Sequence, residues 1–228
     1  MTSTLRGSIT MDAEAEGHEF HGNQFTGGKG SAKKEKSKEM TTEEVMHWTP
    51  EMEGKGPDIA RLSELEAQEL SDYVNGAEIN AALRGDEEGS QIFEDAHEHA
   101  AQLDSIIARD MVKFNGYLYR GTTTFALQDA LNGQDLKVGT MLKDKGYVSA
   151  TKDKRVAEAF SRTFGGENAP VIMRINSLVQ IHAIDMNRYH PVYPNQKEVV
   201  LPRNSGFRVD GISRKNGAVI LEVTHVAP

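Results

Sequence analysis

The sequence predicts an α+β domain, and three observations carry that expectation. Helical periodicity fills residues 58 to about 110, β-branched and aromatic runs fill the chain after Asn115-Gly116, and residues 1–57 read as a polar tail. Helices first and strands afterwards are the mark of an α+β arrangement. The length of 228 residues suits one ordinary domain plus a tail, and a hydrophobic content of 38% is thin for a chain packed throughout. No internal repeat is evident.

The tail comes first. Residues 1–40 are rich in Gly, Ser, Thr, Lys and Glu, and the stretch from Ser31 to Glu39 has no large apolar residue to anchor it. His18 and His21 have the spacing of a metal pair, but nothing nearby completes a ligand set. Gly27-Gly-Lys-Gly imitates a phosphate loop and fails twice. Asn23 stands where the first glycine is required, and Gly30 replaces the Ser or Thr after the lysine.

The helices follow. Ile59, Leu62, Leu65, Leu70 and Val74 fall roughly on one face, with glutamates opposite. A turn at Asn75-Gly76 leads to a short helix carrying Ile79 and Leu83, which Gly85 ends. Ser90 is the expected cap of the next helix, whose Phe93, Ala96, Ala100, Leu103 and Ile107 repeat at helical spacing. His97 and His99 lie on its charged side and are read as solvated.

Strands are expected at residues 116–120, 146–150, 171–175, 179–184, 199–202, 207–212 and 219–226, separated by Gly, Pro, Asn and Asp. Helices are expected to interrupt them around 153–164 and again at 125–131.

Charge is unevenly spread. Residues 41–110 hold four basic and 18 acidic side chains, and residues 111–228 hold 16 basic and ten acidic ones, within a net charge of −8. An acidic helical face is ordinarily just solvated, whereas the basic half favours a polyphosphate ligand or a nucleic acid. The chain has no cysteine, which excludes disulfides, zinc ribbons and thiol nucleophiles. No apolar run approaches the ~18 residues of a membrane span, and no basic patch precedes an apolar stretch at the N-terminus. The expectation is a soluble protein with no secretion signal and no membrane partner.

Three fragments stand out by their order. Tyr-Leu-Tyr-Arg-Gly-Thr (117–122) puts Arg120 at a strand end. Gly-Tyr-Val-Ser-Ala-Thr (146–151) puts Ser149 and Thr151 two apart, so that their hydroxyls share one face of a strand. Tyr193-Pro-Asn-Gln-Lys-Glu-Val-Val-Leu-Pro leads Gln196 and then Glu198 straight into another strand. Taken singly these are a surface arginine, two strand hydroxyls and an exposed glutamate. Together and in this order they resemble the arginine–serine–glutamate clade of mono-ADP-ribosyltransferases, of bacterial-toxin type. The resemblance spans roughly residues 58–228 and departs from the family's Ser-Thr-Ser pattern at Ala150. In the tail, Gly17-His-Glu-Phe-His-Gly-Asn-Gln-Phe-Thr-Gly-Gly resembles a segment of phage head-associated proteins.

The resemblance implies two facing, mainly antiparallel β-sheets forming an NAD cleft, with NAD as substrate and no metal. It implies that Arg120, Ser149 and Glu198 are catalytic. Cofactor binding would fall to Asn80, Arg120, Gly121, Thr151, Phe160 and Arg162, with Phe160 against the nicotinamide. Breaking the nicotinamide–ribose bond builds positive charge on the sugar, and one carboxylate suffices to stabilise it, as in glycosidases. That role would belong to Glu198.

Tyr193 and Gln196 fall on the turn that presents the acceptor. A carboxylate two residues before the catalytic glutamate would pair with a guanidinium. Gln196 has one acceptor and two donors instead, which complement an amide or a guanine edge. The expectation is a macromolecular acceptor, a protein side-chain amide ahead of a nucleic acid base. Arginine acceptors and plain NAD hydrolysis follow, and a non-catalytic virion or binding protein is the rival class. The tail is expected to be dispensable for the chemistry. Action is expected in the cytoplasm of a bacterial cell, with virion association the other location.

Overall fold

The computed structural model describes residues 38–75, 78–85, 96–113, 116–163, 168–176 and 180–226. The expectations for His18 and His21, Gly27–Gly30, Gly76, the Ser90 cap, Phe93, Phe164 and Val179 lie outside them. A compact unit runs from Met40 to the end of the chain, so it starts well before residue 58. The cause is one apolar residue on a capped turn. Helix α1 (Thr42–Val45) opens with a capping box in which Glu44 N donates to Thr41 Oγ1 and Thr41 N to Glu44 Oε2. That turn delivers Val45 into an apolar cluster, where only 2% of it is exposed.

Three longer helices follow, α2 (Glu64–Asn75), α3 (Glu78–Arg84) and α4 (Ala96–Arg109). Ser63 and Glu66 form a second capping box, with bonds of 2.9 and 3.2 Å, and this starts α2 only after Leu62. The expected stripe is therefore broken: Ile59 sits in a separate 3-10 turn, and Leu65 is 53% exposed. The buried face of α2 carries Glu66, Glu69, Leu70 and Tyr73. The two glutamates are tolerated because α4 supplies each with a hydrogen-bonding partner. Arg109 forks onto Glu66 at 2.6 and 2.7 Å, and its hydrogen bonds hold that carboxyl down at about 2 in spite of burial. His99 meets Glu69 at 2.7 Å, and Arg203 donates to His97 at 3.2 Å. His97 is exposed, as read, whereas His99 is half-buried against Glu69.

Among the described residues, ten strands form two sheets. Strand β1 (Met111–Lys113) pairs with β6 (Gln180–His182). The other eight are β2 (Tyr117–Thr123), β3 (Met141–Lys143), β4 (Val148–Thr151), β5 (Pro170–Asn176), β7 (Ile184–Asp185), β8 (Glu198–Leu201), β9 (Gly206–Lys215) and β10 (Ala218–Val226). They run in the order β3-β9-β10-β5-β2-β4-β8-β7, antiparallel except for β10 beside β5. Between β2 and β4 the register holds the single pair Tyr119↔Thr151. The large sheet thus parts there into a five-strand half and a three-strand half. The remaining helices are α5 (Thr124–Leu131), α6 (Lys154–Thr163) and the short α7 (Met186–Tyr189). Mixed helices and strands with two sheets are what the residue pattern and the resemblance predicted. Strands β1 and β3 and helices α1 and α7 escaped notice because runs of three or four residues show no periodicity.

The core under the site is helical on one side. Leu70 and Tyr73 of α2, Ile79 of α3 and Leu103, Ile106 and Ile107 of α4 pack with Tyr147 and Val200 from the three-strand side. Tyr147 ties the layers by donating to Ala100 O at 2.7 Å and to Asp104 Oδ1 at 2.8 Å.

Candidate active site

The parting of β2 from β4 opens a cleft of about 640 Å³, within the usual range for small-molecule sites. Its floor is laid down by Tyr119, Arg120 and Gly121 of β2. Gly121 lets α6 lie directly on the strand, since a Cβ there would stand 1.9 Å from Ala157 O. No side chain fits, and this contact sets how near Phe160 comes to the cleft. Arg120 reaches from β2 to β4, donating from Nη1 to Ser149 O at 2.9 Å. Burial pushes its pKa down, while Asp144, Tyr73 and Glu198 favour the charged form.

A tyrosine that the sequence reading passed over organises the opposite side. Tyr73 turns edge-on to Tyr147, with ring centroids 5.8 Å apart, and its hydroxyl meets Ser149 Oγ at 3.0 Å. Burial raises this phenol to about 12, so it stays protonated. Asn80 lies behind it, with Nδ2 at 3.5 Å from the Tyr73 hydroxyl. Its carbonyl oxygen takes Tyr147 N at 2.7 Å and leaves no space for a side chain at residue 146, where a Cβ would meet that oxygen at 2.6 Å. Four residues on, Arg84 forks onto Asp144 at 2.9 and 3.1 Å. A tyrosine, a serine, an arginine and an asparagine are thereby locked into one network.

Glu198 opens β8 directly across from Thr151. Burial raises its carboxyl pKa, opposed by the Ser149 hydroxyl and the charge of Arg120. Such a carboxylate is destabilised in the empty site and gains most from a cation placed beside it. The turn before it is sharp: Lys197 takes a left-handed conformation (φ 46°), which costs a non-glycine residue roughly 1–2 kcal/mol. Thr151 offsets that strain by donating to Gln196 O at 2.6 Å while accepting from Asp153 N at 3.0 Å. Its hydroxyl holds the turn.

On the outer side, Tyr193 and Gln196 face the cleft with Phe160 and Met46. Gln196 is 8% exposed, and its amide nitrogen lies 3.8 Å from Met46 Sδ. Phe160 packs on Val45, Val156 and Ala159 and also lines the cleft.

Every residue singled out from the sequence lines this cleft except Arg162. That side chain lies on the exposed face of α6, because two residues of helix rotate it roughly 200° away from Phe160. The lining residues not assigned to the site from the sequence are Tyr73, Val74, Tyr119, Ala150, Val156, Ala157 and Met46. Val74 was read on the apolar face of its helix, and Tyr73 beside it looks like core. Met46 lay in the segment assigned to the tail, and no sequence signal marked it. Among the cleft-lining residues Glu198 is the only acid, and among the described residues no group of three metal-ligating side chains occurs.

Comparison with known proteins gives a consistent result. The family model of the ADP-ribosyltransferase exoenzyme matches residues 32–226. No curated protein matches the chain. Solved structures of similar fold include the Vis toxin, an ADP-ribosyltransferase of Vibrio splendidus, at 20% identity and TM-score 0.56 over 76% of this chain and 78% of that one. Plx2a, an ADP-ribosyltransferase toxin of Paenibacillus larvae, aligns at 22% identity and TM-score 0.53 over 74% and 89%. C3stau2 of S. aureus, solved with NAD, aligns at 21% and 0.55 over 84% and 99%.

Proposed function

The chain belongs to the ADP-ribosyltransferase exoenzyme family and is an NAD-dependent mono-ADP-ribosyltransferase; we propose that its acceptor is a side-chain amide of a protein. The residues fit the donor. NAD supplies a ribose that turns cationic as nicotinamide leaves. In this reading Arg120, backed by Asn80 and Arg84 on the same side, holds the phosphate end. Tyr73 fixes the Ser149 hydroxyl, and Ser149 in turn orients Glu198. The Glu198 carboxylate binds the ribose and stabilises its developing charge. Phe160 covers the nicotinamide, and its ring with Val156 keeps water from the reacting carbon.

One observation carries the acceptor. The side chain buried two residues before Glu198 is the neutral Gln196, and Glu198 is the only acidic lining residue. A guanidinium brought here would find no second carboxylate to fork onto. Gln196 instead offers an N–H and a carbonyl side by side, the complement of another amide. Vis, by contrast, has been solved with agmatine, a guanidine. Tyr193 would present its ring to the incoming chain. With NAD as donor, the reading places the reaction in the cytoplasm of a bacterial cell, as a toxin or phage effector.

The test is transfer of labelled ADP-ribose from NAD into bacterial lysate, with Glu198→Ala as control and peptide mapping of the product. Label that requires Glu198 and maps to Asn or Gln supports the reading. Label that nuclease removes, label on arginine, or NAD consumption without label each overturns it.

A further inference from the structure

The segment between Thr41 and Thr49 touches both lips of the cleft. On the helix side, Thr42 Oγ1 meets Thr163 Oγ1 at 2.8 Å, and Val45 is sunk against Val156 and Ala159. On the turn side, Asn195 Nδ2 donates to Glu44 O at 2.9 Å, and Thr49 donates to Val192 O from its backbone N at 2.8 Å and its hydroxyl at 3.0 Å. Met46 hangs between these anchors over the Gln196 amide. The helix carries Phe160 and the turn carries Tyr193 and Gln196, so the arm joins the wall that faces the nicotinamide to the wall that faces the acceptor.

We infer that this arm is a positioning element for the acceptor, setting how much of the cleaved ADP-ribose reaches protein rather than water. The inference rests on the reading of Gln196 as acceptor contact. A thioether is a weak hydrogen-bond acceptor, so the bond to Met46 orients the Gln196 amide and yields to a carbonyl oxygen from an incoming side chain. The polar contacts of the donor side do not run through the arm, and its anchors on the Phe160 helix, Thr42 and Val45, are separate from those on the turn. Arg120, Ser149, Tyr73 and Asn80 are bonded to one another and to β4, and Thr151 independently pins Gln196 O.

The test is the double variant Asn195→Ala/Thr49→Val in the full chain, since neither residue lines the cleft. Trp48, the only tryptophan of the chain and half exposed on the arm, reports attachment through its emission and acrylamide quenching. Losing two hydrogen bonds corresponds to about tenfold. Protein-bound label from total soluble lysate protein is expected to fall by about that factor. Release of free ADP-ribose without lysate should stay within about twofold, and Trp48 should become more quenchable. Unchanged labelling, with or without a change at Trp48, overturns the inference, as does an equal fall in both activities. If the wild-type protein labels no protein, or labels a residue other than Asn or Gln, the acceptor reading itself has failed.

Discussion

The two sides of the cleft are built differently. On the donor side, Arg120, Ser149, Tyr73 and Asn80 project from two strands and two helices and bond to one another behind a helix that touches bare backbone at Gly121. On the acceptor side, Tyr193 and Gln196 ride on a 3-10 turn (Pro194–Gln196), held by a threonine hydroxyl, a strained lysine and an arm from the far end of the chain. Regular elements resist displacement, whereas a turn held by a few bonds can be rebuilt without disturbing the sheet. In the proposed function the common step, cleavage of NAD, falls to the rigid side, and the variable step, choice of acceptor, falls to the adjustable one.

The largest expected effect comes from Glu198→Gln, which breaks both sides at once. Loss of the carboxylate should lower hydrolysis and transfer together by about 10²–10³-fold or more. The same variant should be more stable than wild type near neutral pH. The folded-state pKa of Glu198 is raised by burial, so its contribution to stability is present below the unfolded pKa and lost as pH rises through the folded one. A neutral amide removes that cost, which thermal melts at pH 5 and pH 8 will show as a larger gain at the higher pH. In the wild type, activity should fall on the acid side at a higher pH than an ordinary carboxylate would give. A pH–rate profile in which the acid limb sits at the ordinary carboxylate value would contradict the burial argument.

Next is Gly121→Ala, aimed at the donor side alone. The added carbon meets Ala157 O at 1.9 Å, so either α6 or β2 must shift, at a cost of about 3 kcal/mol. Urea denaturation should show it, and NAD affinity should fall with it. Tyr73→Phe is milder. It keeps the ring against Tyr147 and removes the hydroxyl from Ser149, with an expected stability loss of about 1 kcal/mol. Its distinguishing readout is a lower kcat for hydrolysis with the fold intact, because Ser149 then loses its partner. The smallest effect should come from Thr151→Val on the acceptor side. The turn loses its bond from residue 151 to Gln196 O, and transfer should drop several-fold while hydrolysis drops less. Equal losses would mean that the two sides are not separable.

Much of the donor side was legible in the chain. Arg120, Ser149 and Glu198 were visible because each falls within or at the start of a strand that can be read from the sequence, and because their order resembles that of the family. Tyr73 was not, since a tyrosine in the row Leu70, Tyr73, Val74 looks like core, and here it is both core and site. Thr151 was read as facing the cofactor, yet its hydroxyl is spent on Gln196 O. Glu66 and Glu69 read as a solvated face, and only the arrival of Arg109 and His99 from a helix thirty or more residues away reverses that.

Met46 teaches the most. Its segment is polar and short, so composition assigned it to the tail. Its role depends on a 150-residue closure that brings Asn195 and Gln196 beneath it, and no local pattern encodes such a closure. Local periodicity determined most element types, and the order of three short fragments, through the family they resemble, pointed to Glu198 and the amide beside it, because those follow from chemistry within a few residues. The tertiary structure alone decided that the Thr151 hydroxyl bonds the turn, which glutamates are buried, and which distant arm lies over Gln196. Those choices rest on contacts between segments far apart in the chain, where packing outweighs local propensity.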